Sequence, residues 1–452
     1  MLRRKIANYI ADHITSNSDK ILIIEGARQI GKSYIIRTIG KTHYQNFIEI
    51  NFVKDEEGLQ LFKNVRTLEE FYLVLGSVYG DKLGDFSNTL IFLDEIQQYP
   101  QYLTLLKFLR EDHRFRYIAS GSLLGITLRS SISIPIGSII RKEMYQLDFE
   151  EFLDANGVGE TAISTMRGYF EKREGLNEEL HLHLMSLFKR YLLVGGMPDA
   201  VNEYLESHNI IKVREIQDSI RLLYGDDASK YEADSGKSLA IRRIYDMIPS
   251  QMENKKKRIV AKDIRDKKGD RFDNYKEEFE YLISSGTALS VNAITNPRYP
   301  LAESVRKNLL KLYLNDVGLL TARLYGNNIQ PVLNDHRSIN LGSVYESVVA
   351  QELQAHGHRL FYYDNRQKGE VDFLIDNNAQ ISVMPVEVKS GKDYTVHSAL
   401  TRLLENPEYN IASGVVLSNE REVRTIGKVM YMPIYYVMFL DNHQPTEEEI
   451  YF

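Results

Sequence analysis

In the first 150 residues the apolar positions come in short, nearly unbroken blocks: "KILIIEG", "NFIEINF", "TLIFLDE" and "FRYIASGS". Blocks of that length and β-branched content predict strands buried on both faces. Between them, "SYIIRTIG" and "TLEEFYLVLGSVYG" repeat their apolar residues at helical spacing. The alternation predicts a parallel α/β domain over residues 1–150. From "LDFEEFLDANG", through "LHLHLMSLFKRYLLVGGMPDAVNEYLESHN", to "IQDSIRLLYGDDASKY", the period settles near the helical repeat and strand signals vanish. Residues 151–236 therefore read as a helical domain, broken once at Gly195, Gly196 and Pro198.

Residues 237–300 combine helical patterns, the basic stretch "NKKKRIVAKDIRDKKGDRF" and the strand-like "GTALSVNAI", which suits a small winged-helix region. Over 301–452 the mixed α/β pattern returns. "RLFYYDN", "EVDFLID", "ISVMPVEVKS" and "ASGVVLS" predict strands, "GSVYESVVAQELQAHG" predicts an amphipathic helix, and "VMYMPIYYVMFLDN" reads as core or an edge strand.

At 452 residues, 43% hydrophobic and 26% charged, the chain has the composition of an ordinary soluble protein of several domains. It contains no cysteine, which excludes disulfides, iron-sulfur clusters and thiolate zinc sites. Any metal must then be held by oxygen or histidine, which favours Mg²⁺ or Mn²⁺. Asp12 and His13 stand where a signal peptide needs its apolar core, and no apolar run reaches the ~18 residues of a membrane span. A cytoplasmic protein without a membrane partner is expected.

"GARQIGKS", residues 26–33, fits GxxxxGK[ST] and lies between a predicted strand and a predicted helix. In such a loop Gly26 and Gly31 allow the tight turn, and the backbone of Gly26, Ala27, Arg28, Gln29, Ile30, Gly31, Lys32, Ser33 and Tyr34 surrounds the phosphates of ATP. Lys32 reaches the β- and γ-phosphates and Ser33 is a ligand for Mg²⁺. "TLIFLDEIQQYP" ends a strand in Asp94, suited to the Mg²⁺ shell, and Glu95, suited to orienting the attacking water. "RYIASGS" ends in Ser120 and Ser122, candidate sensors of the γ-phosphate. A glutamate after the aspartate favours hydrolysis over transfer to a small acceptor.

With "LIFLDEIQ", "ASGS", "LDFEEFL" and "YLLVGGMPDAV" added, the chain resembles, over nearly its whole length, the prokaryotic AAA-type ATPases that carry domain of unknown function 4143 (DUF4143). The resemblance implies an α/β P-loop AAA-like ATPase core, a helical and winged-helix middle region and a C-terminal restriction-endonuclease-like α/β domain. Such proteins often carry a Gly-Arg pair shortly before the "PLDFEEF" type of segment. Here "IPIGSIIRKEMYQLDFEEF" has Ser138 after Gly137, which leaves the arginine finger unassigned, with Arg141 and Arg129 as candidates. A finger supplied in trans would require a homo-oligomer.

"KGEVDFLIDNNAQISVMPVEVKSGKDY" puts Asp372 on one strand and Glu387 and Lys389 on the next, with a turn at "DNNAQ". Residues two apart on a strand share a face, so a hairpin partner can bring Asp372 beside Glu387 and Lys389. Two carboxylates and a lysine suit metal-dependent phosphodiester cleavage, with Glu346 on the upstream helix as a third carboxylate for Mg²⁺ or Mn²⁺. These residues resemble the PD-(D/E)xK nuclease core, which implies catalytic roles for Asp372, Glu387 and Lys389. The same residues also suit an ion-pair network retained without cleavage.

Between Lys255 and Arg271 nine Lys or Arg face three Asp, in a chain of net charge −6. Lys255, Lys256, Lys257 and Arg258 would neutralise phosphates if this stretch meets DNA, and a solvated loop is the other reading. His181 and His183, two apart on a helical segment, cannot form the i, i+4 metal pair. The expected function is an ATP-driven switch, DNA-associated and with a nuclease-like domain. Its alternative is a signalling or scaffold ATPase whose nuclease-like domain binds a protein partner.

Overall fold

A computed structural model describes residues 2–122, 137–231, 235–252, 259, 261–265, 271–334, 341–391 and 393–442. The chain forms two compact units. The first is Met1–Gln146 with Ser284–Gly286, and the second is Leu147–Ile283 with Thr287–Phe452. Arg129 and the basic residues Lys255, Lys256, Lys257 and Arg258 lie outside the described residues.

The first unit is built on a five-stranded sheet ordered β2-β3-β4-β1-β5. Its strands are β1 (Ile21–Glu25), β2 (Asn46–Asn51), β3 (Thr89–Asp94), β4 (Arg116–Gly121) and β5 (Ile139–Glu143), and every pairing is parallel. β1 and β3 are buried along their whole length, which is why their sequences are continuous apolar runs. β5 is the exception to the sequence reading. As an edge strand with the half-exposed sequence "IIRKE", it has no apolar run to betray it. On one face of the sheet Phe52, Phe62, Phe71, Tyr99 and Tyr102 form an aromatic core, with the Phe52 and Tyr102 rings 4.4 Å apart. This order sets the C-terminal ends of β3, β4 and β1 side by side, where ligands of open α/β sheets bind.

The second unit begins with helices Phe149–Ala155, Glu160–Glu171, Glu178–Val194, Pro198–Ser207, Ile210–Tyr231 and Ser235–Met252. The expected break falls at Gly195, which ends its helix at φ +71°. The glycines do more than stop a helix. A Cβ on Gly195 would stand 2.1 Å from Asp316 Oδ1, and one on Gly196 would stand 2.0 Å from the Leu147 carbonyl oxygen. The Gly196 N–H donates to Asp316 Oδ2 at 2.7 Å, so the close approach satisfies a buried carboxylate.

The unit's eight-stranded mixed sheet runs β12-β13-β11-β10-β9-β8-β6-β7. Its strands are β6 (Ala288–Ile294), β7 (Val305–Leu314), β8 (Phe361–Asn365), β9 (Gly369–Asn377), β10 (Ser382–Lys389), β11 (Gly414–Ser418), β12 (Arg424–Ile426) and β13 (Val429–Pro433). β6, read from "GTALSVNAI", forms an antiparallel hairpin with β7 and also pairs in parallel with β8, so it belongs to the large sheet. The helix Leu341–Ala355 is buried on every side from Ser343 to Leu353 rather than amphipathic. Its polar members are paired internally: Glu352 accepts the Phe149 N–H at 3.0 Å and the Tyr191 hydroxyl at 3.0 Å. Tyr435 and Tyr436 are fully buried, as the core reading of the Tyr-rich segment expects.

Candidate functional site

β1 delivers the chain into the glycine loop at Gly26. Gly26, Gln29 and Gly31 take φ of +145°, +64° and +92°, which wrap the backbone into a tight turn. A Cβ on Gly26 would lie 2.2 Å from the Met144 carbonyl oxygen, so the loop is pressed against the end of β5. Helix Lys32–His43 starts directly after Gly31 with no side-chain cap on its N-terminus. The first N–H groups of that helix carry its positive dipole end. Ala27 and Ile30 are buried beneath the turn, and Tyr34 is exposed on the helix.

Lys32 is 5% exposed, and its ammonium donates to the carbonyls of Gly26 at 3.0 Å and Ala27 at 2.7 Å. Burial pulls its pKa down to about 8, against the opposing pull of Glu95 and Asp94. Ser33 Oγ donates to Asp94 Oδ1 at 2.9 Å. Ser120 donates to the same oxygen, and Asn51 Nδ2 donates to Asp94 Oδ2 at 2.7 Å. Burial raises the Asp94 carboxyl above its ordinary range, partly offset by the Ser120 hydrogen bond.

Glu95 follows in the left-handed region at φ +56°, an unusual conformation for a glutamate. Its Oε2 accepts from Ser122 Oγ at 3.0 Å and from Gln97 Nε2, and Gln97 also donates to Ser122 at 3.2 Å. Arg28 Nε donates to the Ser122 hydroxyl at 3.4 Å. The two serines therefore divide: Ser120 belongs to Asp94 and Ser122 to Glu95.

Three contributors carry no motif signal. Asn51 lies at the end of β2, opposite Asp94 in the strand register. Gln97 follows Glu95 by two residues. Arg4, buried near the N-terminus, donates to the Ile30 carbonyl at 3.1 Å and the Tyr145 carbonyl at 2.6 Å, clamping the loop from behind. Arg141, a finger candidate, lies on β5, and its Nη2 donates to Glu25 Oε2 of its own chain at 2.6 Å.

In the second unit β9 and β10 form the expected antiparallel pair, with Phe373 opposite Val386. Lys389 Nζ lies 2.8 Å from Glu387 Oε1, and Asp372 Oδ2 accepts the Val388 N–H at 2.8 Å. Burial, then the Asp372 charge, push Glu387 up to about 8. Glu346, on helix Leu341–Ala355, accepts the Tyr313 hydroxyl at 3.4 Å. Tyr313 and Lys311 on β7, together with Glu370 on β9, complete the cluster and were not legible as site residues. Lys311 is fully buried with Nζ 2.5 Å from Glu370 Oε1. Among the described residues no three His, Asp or Glu side chains are grouped to hold a metal ion. His181 is buried against the Tyr435 hydroxyl at 3.2 Å.

Residues 18–153 match the family described as AAA domain, residues 185–329 a domain of unknown function (DUF8612), and residues 341–437 a domain of unknown function (DUF4143). The chain thus carries an AAA-type P-loop ATPase domain together with a DUF4143 domain. No curated protein matches it. Among solved structures, a Walker-type ATPase of Pyrococcus abyssi is similar at 14% identity and TM-score 0.44, over 72% of this chain and 96% of that one. The RuvB Holliday junction branch migration motor of Thermotoga maritima is similar at 12% identity and TM-score 0.30, over 66% and 90%. The Aeropyrum pernix ORC1 protein in complex with DNA is similar at 13% identity and TM-score 0.29, over 74% and 91%. No helix among the described residues is long and apolar enough to cross a membrane.

Proposed function

We propose that this AAA-type domain binds Mg-ATP at residues 26–34 and hydrolyses it, and that the nucleotide cycle drives a switch acting on DNA. The observation that carries the reading is the 2.9 Å contact between Ser33 Oγ and Asp94 Oδ1. A hydroxyl and a carboxylate, the carboxylate held by neutral partners only, offer the hard oxygen donors that Mg²⁺ takes. When bound there, the ion would offset charge on the β- and γ-phosphates.

The chain's own groups supply the rest. Loop N–H groups and the N-terminus of helix Lys32–His43 receive the phosphates, and Lys32 exchanges its carbonyl partners for phosphate oxygens. Glu95, fixed by Ser122 and Gln97, orients a water towards the γ-phosphorus and accepts its proton. Ser120 and Asn51 hold Asp94 in place. Phosphate release by purified protein, beside Lys32→Ala and Glu95→Gln, tests the assignment. Undiminished release in Lys32→Ala rejects it.

For DNA, the support is the local positive charge at Lys255, Lys256, Lys257 and Arg258. Neutralising these four residues is expected to weaken binding to duplex DNA and flatten its dependence on salt. Binding indifferent to both changes favours the signalling or scaffold ATPase with a protein partner.

We also read the C-terminal domain as related to the PD-(D/E)xK nucleases. Supporting this is the order helix, β8, β9, β10, helix, β11, with β9 antiparallel to its neighbours and β11 parallel to β10. On this reading Asp372, Glu387 and Lys389 are the acidic residues and lysine of that pattern. DNA incubated with Mg²⁺ or Mn²⁺, with and without ATP, beside Lys389→Ala, separates a working nuclease from a retained fold.

A further inference from the structure

In the C-terminal cluster each carboxylate already has a partner within the chain. Glu346 takes the Tyr313 hydroxyl at 3.4 Å, Glu370 the Lys311 ammonium at 2.5 Å, Asp372 the Val388 N–H at 2.8 Å and Glu387 the Lys389 ammonium at 2.8 Å. Two of those partners are full positive charges. Lys311 is the unusual one: it is fully buried and stands over the face of the Tyr362 ring at 4.5 Å. Burial alone would lower its pKa, yet Glu346, Glu370 and Asp372 together hold it above the ordinary lysine range. The buried Lys311 side chain thus sits, paired with Glu370, among the carboxylates that a nuclease would offer to a metal.

We propose that Lys311 and Lys389 serve as built-in counter-ions, so that this cluster excludes a divalent cation and does not cut. The inference rests on the nuclease-related reading of the domain and decides between its two forms. A hydrated Mg²⁺ or Mn²⁺ gives up its waters only for several free anionic oxygens, and here one ammonium holds Glu370 Oε1 and another Glu387 Oε1, while both repel the ion. At Asp94 the hydrogen-bond partners are hydroxyls and an amide, which a cation can displace without breaking an ion pair.

The test counts Mn²⁺ bound per full-length chain, read from the electron paramagnetic resonance of free Mn²⁺. Wild type and Asp372→Asn are expected to bind the same number. Lys311→Met is expected to bind one more, and that gain should vanish when Asp372→Asn is added. Lys311→Gln replaces Lys311→Met if the latter does not fold. Loss of one Mn²⁺ on Asp372→Asn alone overturns the proposal, as does a folded Lys311 variant that gains none. DNA cleavage by wild type that Asp372→Asn abolishes would also overturn it, while leaving the nuclease relation standing.

Discussion

The two units each set a lysine and acidic side chains around the ends of sheet strands, and they use them in opposite ways. In the first, Lys32 donates to the backbone carbonyls of Gly26 and Ala27, and Asp94 is held by Ser33, Ser120 and Asn51. In the second, Lys389 and Lys311 bind carboxylates directly. Neutral partners leave a carboxylate its full charge for an incoming cation, whereas an ammonium cancels it. What separates the proposed Mg-ATP site from the proposed closed ion cluster is therefore the partner each charge has chosen.

The largest way to break this contrast is Lys32→Ala. Phosphate release is expected to fall about 10²–10³-fold, because a preorganised charge in a buried site is lost. Glu95→Gln should follow, with release down about 10²-fold while a fluorescent ATP analogue still binds, as expected of a residue that acts on water. If binding is lost as well, Glu95 serves the phosphates rather than the water.

In the second unit a lysine substitution should act on stability. Lys389→Ala leaves Glu387, whose side chain is 8% exposed, without its cation. The expected cost is about 2–3 kcal/mol, below the roughly 3–5 kcal/mol of a fully buried pair because Lys389 itself is 28% exposed. Urea unfolding measures it. An unchanged midpoint would mean that the pair contributes nothing and that the cluster is not closed by charge.

The smallest effect concerns pH. His358 is buried with Nε2 2.9 Å from the Leu440 carbonyl oxygen, and burial pulls its pKa from 6.5 down to about 4. As pH falls, the unfolded chain takes this proton before the folded one. The contribution is therefore complete above pH 6.5 and is lost towards pH 4. Between pH 7.5 and 5 the unit should lose about 2 kcal/mol through this group. The loss should be absent in His358→Gln, compared by urea unfolding at the two pH values. An equal loss in the variant would assign the acid limb to the carboxylate clusters instead.

The sequence by itself determined the phosphate loop, the strands β1 to β4 and the placement of Asp94, Glu95, Ser120 and Ser122 at strand ends. Those are local facts: a continuous apolar run specifies a buried strand, and the residue that follows it must sit at the sheet's edge. It also determined that Glu387 and Lys389 share a face, because strand period is fixed at two. Only the tertiary structure decided that Asn51 stands opposite Asp94, that Arg4 holds the loop at Ile30, and that Lys311 from β7 reaches Glu370 on β9. It alone revealed β5 and the burial of helix Leu341–Ala355. Each of these depends on which distant segments pair, and no local spacing encodes that. A buried lysine and an exposed one are the same letter until the fold supplies its neighbours.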